Sequence, residues 1–244
     1  MFLLRLLLVV LLPLSFTQIS YATDDDDPFL GEYSLIERPQ KILDTHTVEV
    51  AELFLYTCPH CFHFEPVLKE WAKKYTSGVK VFQVPAVFGD SNIPLAKAFY
   101  TAEALNKVDT IHPALFAAIH ETHEKIGSEA ELQAFFVKQG VDAKAFTEAY
   151  NSFDVDSKVR QSRVLTQSYG ISSVPNLVVN GKYRLSPGQT ETIDQLLKAA
   201  DFLIAKELKI VNKTAVGKTE PAQTETPSVA TPKTEPQVVA PPAK

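Results

Sequence analysis

The chain has 244 residues, a formal net charge of −5 and two cysteines. The mildly acidic balance gives no basic footprint for nucleic acid, and no nucleic-acid partner is expected. Two cysteines exclude a four-cysteine zinc site within one chain.

Residues 1–22 read as a secretory signal. Arg5 supplies the charge, Leu6 to Leu14 the apolar run, and Ser20-Tyr21-Ala22 a small-x-small cleavage site, with cleavage expected after Ala22. Pro13 breaks the run, and Ser15, Thr17, Gln18 and Ser20 dilute it, so it is short for an uncleaved membrane anchor. The mature chain is expected to be soluble and exported, in a compartment where disulfides persist. Residues 23–32, with the acidic run Asp24 to Asp27, read as a solvated, disordered leader without a function.

Tyr33 to Ile36 reads as a short edge strand. Val48 to Tyr56 is apolar on both parities, which predicts a central strand covered on both faces. Glu52 interrupts it. It is either half-exposed near the strand end or a buried acid whose raised pKa lets it exchange protons near neutrality.

Next comes Thr57-Cys58-Pro59-His60-Cys61-Phe62, and then Cys61, Phe64, Leu68, Trp71 and Tyr75 recur at helical steps. The two cysteines therefore lie where a strand ends and a helix begins. A helix N-terminus favours a thiolate, the species that attacks disulfides. Three plainer readings compete: a structural disulfide, a zinc site completed by His60, His63 or the pair His120 and His123, and a pair of buried, inert thiols. A loop this short gains little entropy from being closed, and the strand-to-helix setting favours redox chemistry over all three.

Pro66 is expected to kink this helix. Val79 to Val84 predicts a third strand. From Ile93 to about Tyr150 the pattern is helical throughout. Asn92-Ile93-Pro94 and His112-Pro113 are read as helix starts, and Ser128-Glu129-Ala130-Glu131 as a capping box closed at Gly140. Asp142 caps a short helix, and Asp154 starts a longer one ending at Gly170. Val174-Pro175-Asn176-Leu177-Val178-Val179 predicts a strand opened by proline, Asn180-Gly181 a tight hairpin and Lys182 to Leu185 its return. Thr190 to Leu208 predicts a final amphipathic helix. From Lys213 the chain is Thr, Pro, Lys, Glu, Ala and Val and cannot bury a core. The order predicts an α/β, thioredoxin-like fold with an all-helical insertion after the third strand. Its parts are 33–86 and 154–212, split by an insertion at 87–153 and followed by a disordered tail at 213–244.

Cys58-Pro59-His60-Cys61, the helical block, Val174-Pro175 and Val179-Asn180-Gly181-Lys182-Tyr183 together resemble the DsbA family of exported thiol-disulfide oxidoreductases. The resemblance runs from about Tyr33 to Leu208. The Pro-His dipeptide is its most specific part, since thioredoxins carry Gly-Pro there and the exported isomerases Gly-Tyr. The mature residues before Cys58 are also too few for the dimerisation domain of those isomerases.

The resemblance implies a nucleophile at Cys58, a buried resolving thiol at Cys61 and a Cys58-Cys61 disulfide in the oxidised enzyme. His60, after Pro59, would help hold the Cys58 thiolate. Pro175 would be a cis-proline facing the site, with Val174 before it at the substrate position. Glu52 matches a buried acid that handles the proton of Cys61. Gln83 stands where a lysine is expected in the best-known members, which alters the charge network around Glu52. His63 is expected to be a surface residue. The function implied is donation of a disulfide to reduced or unfolded exported proteins in the periplasm. No cofactor or metal is implied, and a monomer reoxidised by a quinone-linked membrane partner is expected. The rivals are a reductase or isomerase on the same fold and a chaperone-like binding module for unfolded chains.

Overall fold

In the computed structural model, the structure describes residues 27–39 and 46–216, with side chains through residue 211. The expected signal segment and most of the tail lie outside the described residues. Within them are five strands: β1 (Ser34–Leu35), β2 (Val48–Phe54), β3 (Val79–Pro85), β4 (Asn176–Val179) and β5 (Tyr183–Leu185). They form one sheet in the order β1-β5-β4-β2-β3, with β2 and β3 parallel and the other pairs antiparallel. The helices are α1 (Pro59–Ala72), α2 (Ile93–Ala104), α3 (Val108–His120), α4 (Glu129–Lys138), α5 (Ala143–Tyr150), α6 (Phe153–Ser168) and α7 (Ile193–Val216). The architecture is the thioredoxin-like one expected, with the helical block entering after β3.

β2 is central, and its alternating side chains divide the core. Val48 and Val50 pack with Phe64, Leu68 and Trp71 of α1 and with Leu196, Leu203 and Ile204 of α7. Ala51 and Leu53 pack on the other face with Leu165 and Tyr169 at the end of α6. Glu52 shares the parity of Val50, so its carboxylate points to the α1 face. Phe54 and Tyr56 then lead into the cluster of the helical block, which includes Cys61.

Turn chemistry holds as read. Asn180 and Gly181 both take positive φ, 52° and 62°, as a primed hairpin turn requires. Ser128 and Glu131 form the reciprocal capping box, and Gly140 follows α4 with φ of 83°.

Several boundaries differ. α3 begins at Val108 rather than at His112-Pro113, because burial of Ile111, His112, Leu115 and Phe116 outweighs the donor that Pro113 lacks. α6 is capped by Ser152, whose Oγ accepts from Val155 N, and Asp154 lies in its first turn. α7 starts at Ile193 rather than Thr190 and runs past Leu208 to Val216, so the first residues assigned to the tail are helical. The end of the acidic run is also not solvated. Asp27 is buried, accepts from Phe29 N at 3.0 Å and from the Tyr33 hydroxyl at 2.6 Å, and lies 3.9 Å from Lys206 of α7. Phe29 packs against Phe202. The residues from Asp27 to Glu32 are thus docked on α7.

Candidate active site

Cys58 is the N-cap residue of α1, in extended backbone. Its amide donates to Leu55 O at 3.1 Å, and Phe62 N donates to Cys58 O at 3.1 Å, closing the first helical turn. Pro59 follows at the start of the helix, where a missing donor costs nothing. The Cys58 thiol is partly exposed and donates to the carbonyl of Val174 at 3.5 Å. The Val174–Pro175 peptide is cis. One turn in, Cys61 is 0% exposed. Both cysteines are free thiols here. Burial pushes the Cys61 thiol far above the usual thiol range. A backbone hydrogen bond at Leu55 opposes that, while Cys58 and the nearby Glu52 reinforce it.

An apolar groove of about 670 Å³ opens beside the thiols, lined by His60, His63, Phe64, Val67, Val174 and Pro175 among others. His60 is exposed and forms part of its rim. His63 is also exposed, and its Nδ1 lies 2.6 Å from Pro59 O.

Behind the thiols lies a buried polar cluster. Register places Glu52 directly beside Gln83 on β3. Gln83 Nε2 donates to Glu52 Oε2 at 2.8 Å and to Glu65 Oε2 at 2.5 Å. Glu65 lies on α1, four residues past Cys61. His112 of α3, 2% exposed, completes the cluster, with Nε2 3.2 Å from Glu65 Oε2 and Nδ1 2.7 Å from the Tyr56 hydroxyl. Burial lifts the Glu52 carboxyl to about 8. The Gln83 hydrogen bond works against the rise, and the Glu65 charge adds to it. At Glu65 burial also pushes upward, yet the hydrogen bond and electrostatic pull of His112, with Gln83 and Lys69, outweigh it and hold that carboxyl below its usual value. α3 grips Tyr56 a second time, since His120 Nε2 lies 2.8 Å from Tyr56 O and the His120 ring stacks on Phe62.

Residues 49–200 match the family model described as a DSBA-like thioredoxin domain. The chain belongs to the DsbA family of thiol:disulfide oxidoreductases. It is 36% identical over 193 residues to the thiol:disulfide interchange protein DsbA of Pseudomonas aeruginosa, covering 79% of this chain and 92% of that protein. The crystal structure of Pseudomonas aeruginosa DsbA superposes with a TM-score of 0.71 at 34% identity, covering 80% of this chain and 99% of that one. A Proteus DsbA, solved with a non-covalently bound peptide PWATCDS, is similar at a TM-score of 0.60 and 25% identity, over 75% of this chain and 96% of that one.

In this DsbA family member the structure gathers Cys58, Pro59, His60, Cys61, Val174 and Pro175 at one end of α1, with Glu52 behind Cys61. The sequence reading missed Glu65, His112 and Tyr56. Glu65 carried a signal: a carboxylate one turn from Cys61 sits beside the buried positions Phe64 and Leu68. His112 carried none, because a His-Pro pair reads in the sequence as a helix start.

Proposed function

We propose that this thiol:disulfide oxidoreductase works as a dithiol oxidase. Its Cys58-Cys61 disulfide is attacked at the Cys58 sulfur by a substrate thiolate. The intramolecular S–S bond breaks, Cys61 leaves, and a mixed disulfide to Cys58 forms. A second substrate thiolate attacks the substrate sulfur of that bond. Cys58 leaves as thiolate, the substrate is oxidised by two electrons, and the enzyme is left as the dithiol. The carrying observation is the asymmetry of the pair. Cys58 is accessible at the helix N-terminus, while Cys61 is sealed above a carboxyl that titrates at about 8. A sealed thiol strongly prefers its protonated form, so the departing Cys61 sulfur takes a proton, and Glu52 is the adjacent acid able to give it near neutrality. His60 stands at the rim to interact with the Cys58 sulfur.

Substrates are reduced or unfolded exported proteins. An extended peptide would lie in the apolar groove with its cysteine toward Cys58, and the Val174 backbone is the site's edge for it. The segment 1–22 would direct export to the periplasm. The enzyme would act as a monomer and be reoxidised by a membrane partner at the same exposed sulfur.

The test is to mix the oxidised protein with a reduced, multi-cysteine test protein and follow the disulfides gained. Oxidation at one disulfide per enzyme is expected, with none from the Cys58→Ser variant. Net reduction of an oxidised test protein under the same conditions would favour the reductase reading. Protection of unfolded chains that survives loss of both cysteines would favour the binding-module reading.

A further inference from the structure

We propose that His112 is a positioning residue of the redox centre, holding Glu65 and Gln83 in the arrangement that keeps an amide N–H on Glu52. This rests on the reading in which Glu52 exchanges the proton of Cys61.

Hydrogen-bond accounting carries the inference. The Gln83 amide has two N–H groups, and an unprotonated carboxyl oxygen accepts only. Glu52 Oε2 at 2.8 Å and Glu65 Oε2 at 2.5 Å claim one each. His112 Nε2 lies 3.1 Å from the same nitrogen and finds no third proton there. It must therefore donate, and the acceptor in reach is Glu65 Oε2, at 3.2 Å. Its Nδ1 faces the Tyr56 hydroxyl at 2.7 Å, and burial keeps that phenol protonated, so Tyr56 donates to Nδ1 of the neutral imidazole and accepts from Nδ1 of the imidazolium. In either state Nε2–H is directed at Glu65, and in the neutral imidazole the Tyr56 hydroxyl holds the tautomer that does so.

Removing the Nε2 donor leaves Glu65 largely buried and short of a partner, which favours its protonated form. A protonated Glu65 presents an O–H, and the Gln83 amide then turns its oxygen toward it. Glu52 loses the N–H that favours its ionised form. The other charged groups around this cluster line a cavity of about 490 Å³ next to it: Lys69 on α1, Lys80 on β3, Glu103 on α2, Asp109 on α3 and Lys158 on α6. Among the described residues none of them hydrogen-bonds to Glu52, and all of them are unchanged in the His112 and Tyr56 variants.

The experiment follows the Glu52 side-chain carboxyl by ¹³C NMR in the reduced, full-length protein between about pH 5 and 10, assigned with Glu52→Gln. His112→Gln places an amide nitrogen near the position of Nε2 and should leave the midpoint near that of the unsubstituted protein. His112→Asn places its nitrogen near Nδ1, short of Glu65, and should move the midpoint up by about one unit or more, the worth of a hydrogen bond to a charged group. Tyr56→Phe, which removes only a hydroxyl, is the second variant if the asparagine protein does not fold, and should shift the midpoint the same way. Equal midpoints in the Gln and Asn variants, or no shift in either Asn or Phe, would overturn the proposal. A shifted midpoint together with thiol exchange indifferent to Glu52→Gln would instead leave His112 in its role and remove Glu52 from the proton step.

Discussion

Cys58 and Cys61 are one helical turn apart and chemically far apart. Alkylation of the reduced protein at neutral pH should label Cys58 first and Cys61 only on unfolding, since Cys61 is both sealed and held as a thiol. Peptide mapping that finds Cys61 modified at a comparable rate would refute the assignment of roles. Glu52 makes a second prediction at this scale. Its folded pKa, about 8, lies above the ordinary carboxyl value of 4.5, so the folded state keeps a proton that the unfolded chain has already lost. The stability it supports is full below about pH 4.5, falls as pH rises to about 8 and is flat beyond. Glu52→Gln removes that dependence. The variant should gain on the parent by up to about 1.4 kcal/mol per pH unit across this window, in denaturant unfolding of the reduced forms. Parallel curves from pH 5 to 9 would show that the carboxyl is not raised. Cys58, Cys61 and Glu52 were legible as residues because each breaks a local pattern: sole cysteines, or a charge inside an apolar strand. Glu65 offers only its place beside the buried positions of α1, and His112 offers nothing. Their partnership exists only once α1, β3 and α3 meet, and no local spacing encodes that meeting.

At the level of elements, α1 presents different residues on its two flanks. His60, Phe64 and Val67 face the groove, and Glu65, Leu68 and Lys69 face the second cavity. Val67 is 42% exposed, an apolar side chain whose open surface a docked peptide would cover. Val67→Glu should raise KM for a cysteine-containing peptide by roughly tenfold, from about 1–2 kcal/mol of lost apolar contact, while oxidation of a small thiol such as glutathione is little changed. Equal loss with both substrates would mean that the substitution disturbs the thiols themselves. Elements were legible where backbone chemistry is decisive. The Asn180-Gly181 turn needs two positive φ values, and the Ser128 cap needs an acceptor for orphan amides. They were illegible where packing overrules it: α3 passes through Pro113 because its apolar stripe is worth more than one hydrogen bond.

Taken whole, the molecule ties its N-terminal described segment to its last helix through Asp27, Phe29, Lys206 and Phe202. A solvated acidic run was the natural expectation, because composition cannot see that Tyr33 and α7 would enclose its final residue. The chain beyond Val216 is different in kind. It is built mostly from Thr, Pro, Lys, Glu, Ala and Val and offers little to pack. Truncation after Val216 should therefore leave the rate of oxidation of a reduced test protein unchanged, and a large loss would show that these residues recruit the substrate or the reoxidant. One arrangement reaches over the full catalytic cycle. The sulfur meets its partners on one flank of α1, and the acid is linked through Gln83 and Glu65 to a cavity on another. In the proposed cycle electrons and protons would thus have separate doorways. A partner covering the first would leave the second open, so in the proposed cycle the acid would reset to the ambient pH while the mixed disulfide is still in place. In the proposed cycle the same sulfur would then serve substrate and reoxidant in turn, without a pause for proton return between the two visits.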